Sequence, residues 1–118
     1  MDREPVVGRV AGVPMPIVVV ATMTAKPESV DKVREACKRA IEAVHQEPGC
    51  ELYALHEADG TFVFVEQWAD VDALTTHSTA PAVTTMFGDV GEHLDSAPDI
   101  KMLQPVVAGD PAKGRLRP

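Results

Sequence analysis

The sequence predicts an α+β fold whose elements run β, α, β, β, α, β, and three observations carry it. A β-branched run, IVVVATMT at Ile17–Thr24, stands directly before a long amphipathic helix. Two strand patterns are then joined across a short glycine turn, and a second helical stretch leads into a last apolar strand. This order matches the split βαβ, ferredoxin-like unit, a four-stranded antiparallel sheet with helices on one face.

Each element has a local reason. Ile17–Thr24 is bounded by Pro16 and Pro27 and is rich in the β-branched residues that suit a strand. Over residues 27–47 the apolar side chains Val30, Val33, Cys37, Ala40, Ile41 and Val44 recur at three- and four-residue steps, with Asp31, Lys32, Glu35, Lys38, Arg39 and Glu42 between them. That is one buried stripe on an otherwise exposed helix. Pro27 suits its first turn, Glu28 favours its positive end, and Glu47-Pro48-Gly49 stops it. Strand patterns at 50–57 and 61–68 meet across Ala58-Asp59-Gly60, where the glycine can take a positive φ. Asp70 is placed to cap a short helix carrying Val71, Leu74 and His77 on one side. Pro81 starts another with Val83, Met86, Phe87, Val90 and Leu94 along one face, weakened by Gly88 and Gly91. Residues 100–107 close the sheet as a fourth strand, with Pro105 marking an edge or a bend.

The strands are apolar on both sides. Phe62 and Phe64 point one way and Val63 and Val65 the other, so helices on one face leave a second apolar face to be covered. At roughly 25 cal/mol per Å² of apolar surface, leaving it wet forfeits many kcal/mol. A second copy of the chain, sheet against sheet, is the simplest cover, and a homodimer is the expectation.

Composition narrows the function classes. The 118 residues suit one domain, expected at 15–107, with residues 1–14 a flexible extension and 108–118 a flexible tail. A formal net charge of -7 opposes nucleic acid and anionic membranes as partners. Residues 6–20 are largely apolar but are interrupted by Gly8, Arg9, Gly12, Pro14 and Pro16, so neither a signal peptide nor a membrane helix is expected, and the chain reads as cytoplasmic. Cys37 and Cys50 lie in neither CxxC nor metal-ligand spacing and read as free thiols. Four scattered histidines, with no HxxxH pair, give no zinc pattern, and a structural zinc site is not expected.

One constellation carries chemistry. Alternation along the third strand sets Phe62, Phe64, Glu66 and Trp68 on one face, and His77, nine residues past Trp68, continues the apolar stripe of the next helix. A carboxylate, an indole and an imidazole are thereby aimed at one apolar space, with Met86, Phe87 and His93 along the following helix. Tyr53 is a source of a hydroxyl for Glu66. The bland readings stand beside this one: a histidine on an apolar helix face is often only a packed core residue, and a tryptophan on a strand is often core. His45 and His56 are given no role, the first set against the helix dipole and the second at a strand end.

These residues resemble those of the antibiotic biosynthesis monooxygenase family. The resemblance spans about residues 15–103 and rests on VVVATMTAKPESVDKV, on EPGCELYALHE, and above all on FVFVEQWADVDALTTH followed by APAV. In the last, the family's Glu-x-Trp and downstream histidine recur as Glu66, Trp68 and His77. It implies a dimeric α+β barrel, nearest to the small quinol-oxidising members, and oxidation of a phenolic, hydroquinone or polyketide-like aromatic by molecular oxygen with no metal or flavin. It further implies His77 as the base, with Glu66 as its orienting partner or as a substitute base. Trp68, Tyr53, Phe64, Met86, Phe87 and His93 would then hold the aromatic ring. Haem-degrading relatives carry Asn, Trp and His at positions that fall near Val20, His77 and Met86, and none of the three is present here. A dimeric module that binds a small molecule without changing it, and a non-oxidative, isomerase-like enzyme, remain as alternatives on the same scaffold.

Overall fold

A computed structural model of the chain describes residues 9–10 and 13–118. Its four long strands are β1 (Ile17–Thr24), β2 (Cys50–Ala58), β3 (Thr61–Trp68) and β4 (Asp99–Leu103), in the spatial order β2-β3-β1-β4 with every pair antiparallel. Helices α1 (Val30–His45) and α3 (Pro81–Val90) pack together, and α1 also packs on β2. The short α2 (Val71–Ser78) follows β3. The expected α+β, ferredoxin-like βαββαβ order is the observed one, with the second helical stretch split into α2 and α3.

Details differ where local chemistry intervenes. Residues 27–29 form a 3-10 turn ahead of α1, and the helix buries Val33, Ala36, Cys37, Ala40 and Val44. Asp59 and Gly60 both take positive φ, 50° and 81°, so β2 and β3 are joined by a primed two-residue turn matched to strand twist. The fourth strand stops at Leu103, short of the expected 107. Continuing its register of Leu103 opposite Val18 would set Pro105 against Pro16, two residues with no amide hydrogen to donate.

The core lies between the sheet and the helices. Ile17, Val19, Ala21 and Met23 of β1 share a face with Phe62, Phe64, Glu66 and Trp68 of β3, and all eight are buried. At about 1.5–3 kcal/mol per large apolar side chain, burying this face contributes many kcal/mol to stability. The opposite face carries Val18, Val20, Leu52, Ala54, Val63 and Val65, all only partly covered. On β4 and just beyond it, Ile100, Met102, Leu103, Val106 and Val107 are exposed.

The extension expected at 1–14 falls partly on residues 1–8 and 11–12, outside the described residues; between them Arg9–Val10 pairs antiparallel with Val13–Pro14. The tail at 108–118 has no helix or strand but turns about Asp110, whose carbonyl accepts from the amides of Lys113 and Gly114. It also reaches the sheet, where the Arg117 carbonyl accepts from the buried Gln67 side chain at 3.4 Å. No described helix is long and apolar enough to cross a membrane.

Candidate active site

Between the helical layer and the sheet lies a cavity of about 210 Å³. Val19, Ala21 and Met23 of β1 and Phe64 and Glu66 of β3 form its floor, Tyr53 stands on β2, and Leu74, His77, Met86 and Phe87 close it from α2 and α3. Among the described residues its lining includes no Lys or Arg, and those able to exchange a proton there are Glu66, His77, Ser78 and Tyr53. Of the residues read from the sequence as site residues, Tyr53, Phe64, Glu66, His77, Met86 and Phe87 are brought together here.

Two of them are placed elsewhere. Trp68 is fully buried behind the cavity, where its Nε1 donates to Glu66 Oε1 at 2.9 Å and its ring lies 4.3 Å from that of His77, tilted by 30°. His93 does not line the space. The 3-10 turn at Gly91–His93 ends the α3 face and carries this histidine back towards the start of α1, where Nδ1 and Ser29 Oγ are hydrogen-bonded at 3.0 Å.

The hydrogen bonds also differ from those expected. Glu66 takes its bond from the Trp68 indole rather than from the Tyr53 hydroxyl, and the partner of His77 is Glu47, with Nδ1 2.7 Å from Oε1. His45, instead of meeting the helix dipole alone, donates from Nε2 to the Tyr53 carbonyl at 3.0 Å. His56 is exposed near the end of β2.

Glu47 is the member of the site that pattern reading missed, because it reads as a helix stop. The geometry that delivers it is local. Gly49 takes φ +81°, a value an L side chain resists, and its carbonyl accepts from Ala69 N at 2.8 Å. A Cβ at Gly49 would strike that of Ala73. The turn is thereby seated on the start of α2, itself fixed by Asp70 accepting from Ala73 N at 2.9 Å as the expected cap.

Electrostatics follow from burial. Burial pushes the Glu66 carboxyl from 4.5 up to about 7; the Trp68 hydrogen bond pulls it down and the Glu47 charge adds a smaller push upward. Burial, and then the charge of Glu66, lift the Tyr53 phenol well above its ordinary range, so it is held as a hydrogen-bond donor. Its ring stacks on Phe64 at 4.5 Å and 25°, making an aromatic wall. Among the described residues no group of three His, Cys, Asp or Glu side chains is disposed to hold a metal ion. The arrangement can hold a flat apolar ring and accept a proton from it at Glu66 or His77.

Comparison with known proteins places this domain. The family model described as antibiotic biosynthesis monooxygenase matches residues 16–88. The chain belongs to this family. The matched segment runs from β1 into α3 and includes every cavity-lining residue except Ile100, together with Glu47 and Trp68. A solved structure described as an antibiotic biosynthesis monooxygenase is 29% identical, covering 76% of this chain and 98% of its own, with a TM-score of 0.72. A conserved protein of Methanosarcina mazei is 28% identical over 75% of this chain and 91% of its own, also at 0.72. A Mycobacterium tuberculosis protein is 26% identical over 80% and 99%, at 0.75. No curated protein matches the chain. For a member of the antibiotic biosynthesis monooxygenase family, the cavity against β1, β3, α2 and α3 is the candidate active site.

Proposed function

We propose that this protein is a monooxygenase that oxidises a small, uncharged phenol or hydroquinone with molecular oxygen in the 210 Å³ cavity, using, as the family resemblance implies, no metal or flavin. The observation that carries this reading is two proton-accepting side chains, Glu66 and His77, in a wall that is otherwise mainly apolar and aromatic. With no Lys or Arg among the described residues of the lining, a carboxylate or phosphate on the substrate would be buried without a cationic partner, so a neutral ring is favoured.

The chemistry asks little more of the protein. A phenol becomes easily oxidised once its proton is taken, and His77 is placed to take it, with Glu66 as the second acceptor. The phenolate then passes an electron to oxygen, and the paired radicals join at a ring carbon carrying hydrogen. Loss of water leaves a quinone: one oxygen atom stays on the ring, the other departs as water, and the substrate supplies all four electrons. Tyr53 and Phe64 hold the ring, and the dry cavity keeps the reactive pair together.

The same reading makes the working unit a homodimer. Its support is the partly covered apolar sheet face and the exposed Ile100, Met102 and Leu103 of β4. The two free cysteines, one of them buried, suit the cytoplasm.

The test is oxygen uptake by metal-free, flavin-free protein with a panel of naphthols, hydroquinones and anthrones, with ¹⁸O₂ used to follow the label. Expected is incorporation of one labelled atom and a fall in kcat of about 10²-fold or more in His77→Ala, the scale of general base catalysis. No uptake above background by the wild type, with ligand bound and recovered intact, would assign the cavity to binding alone.

A further inference from the structure

We propose that Glu47 is a positioning residue that holds His77 in the tautomer with its hydrogen on Nδ1, leaving the Nε2 lone pair for the substrate's proton; this rests on the oxygenase reading above. Glu47 is not among the cavity-lining residues and His77 is, so the carboxylate acts on the imidazole from behind. The contact is short, 2.7 Å, and both side chains are largely out of water, 14% and 6% exposed. A carboxylate can only accept, so the hydrogen in this bond sits on Nδ1. In the neutral ring Nε2 is then the atom with a free lone pair.

The ring has little freedom to escape this assignment. The Trp68 indole lies 4.3 Å from one side of it, and the Tyr53 ring stands 5.6 Å away at 66°. Glu47 is held from its own side by the Pro48-Gly49 turn, which is hydrogen-bonded to Ala69 and packed on Ala73 one turn before His77. Once a proton arrives at Nε2, the imidazolium faces a carboxylate in a poorly hydrated setting, where a charge-assisted bond is strong. Glu66 does not perform this task, because the carboxylate that meets His77 Nδ1 is that of Glu47, whereas Glu66 takes its bond from the Trp68 indole. The two carboxylates are therefore divided: Glu47 orients the imidazole, and Glu66 faces the cavity.

The decisive measurement is the ¹⁵N spectrum of the His77 ring with the ring neutral, in wild type, Glu47→Ala and Glu47→Gln, alongside kcat and KM for oxygen uptake. Wild type should show hydrogen on Nδ1. Glu47→Ala should move the population towards hydrogen on Nε2 and lower kcat about 10²-fold with KM changed less than about twofold. Glu47→Gln, whose amide oxygen can still accept, should keep the tautomer while losing the charge, with kcat about tenfold down. An unchanged tautomer in Glu47→Ala would overturn the proposal. So would hydrogen found on Nε2 in the neutral ring of the wild type, which decides the matter if the alanine variant does not fold. If the tautomer switches but no panel substrate is turned over even by wild type, the positioning role stands and the oxygenase reading fails.

Discussion

Replacing Glu66 by glutamine should stabilise the protein at alkaline pH and not at acid pH. Glu66 is 4% exposed, and burial lifts its carboxyl from 4.5 to about 7. Between those values the native state holds a proton that the unfolded chain has released, so native stability falls as pH rises through this window. At ~1.4 kcal/mol per pH unit the loss amounts to about 3 kcal/mol, a large share of the ~5–15 kcal/mol typical of a domain. Glutamine carries no charge at any pH, and its side-chain oxygen can still accept from Trp68 Nε1, so the variant escapes the penalty while keeping the 2.9 Å contact. Urea unfolding of both proteins from pH 4 to pH 8.5, at one protein concentration so that any association is held constant, measures the difference. Other titrating groups are common to the two proteins and cancel. The midpoints should differ by a constant below about pH 4.5, diverge through pH 7, and level off with glutamine gaining roughly 1–3 M urea, for m-values of ~1–3 kcal/mol per M. A pH-independent difference, or one that widens towards acid, would refute the claim that a poorly hydrated cavity controls this carboxyl. The window bears on function as well, because Glu66 is a proton acceptor only once ionised.

Two further outcomes follow from the packing. If the apolar sheet face and β4 are covered by a second copy, sedimentation at micromolar concentration should return the mass of two chains, and a monodisperse monomer would contradict the covered-face argument. Gly49→Ala combines a positive φ with a Cβ driven against Ala73, and should lower stability by more than ~1 kcal/mol in thermal unfolding; an unchanged Tm would show that this turn is not held as described.

Much of this architecture is legible in one dimension because each feature repeats within a single element. The stripe on α1, the alternation on β3 that aligns Phe64, Glu66 and Trp68, and the Asp70 cap depend on spacings of a few residues, which backbone geometry converts directly into faces. The convergence of Glu66 and His77 on one cavity was readable for the same reason, since both lie on the buried sides of successive elements. What spacing cannot give is the distance between elements. Glu47 and His77 are 30 residues apart and meet because a glycine at positive φ seats one turn against one helix. His93 continues a sequence pattern, but a change from α to 3-10 winding rotates it away to Ser29. Trp68, on the same strand face as Phe64, lies behind the cavity rather than in its lining, with its ring tilted against that of His77 and its N–H bonded to Glu66. The sequence alone therefore determined the elements, their order and, within regular strands and helices, the side each residue presents; the partners of each proton-bearing group were decided only by tertiary packing, because a hydrogen bond requires its two atoms to meet within a few tenths of an ångström of one distance and no periodicity in the chain encodes that.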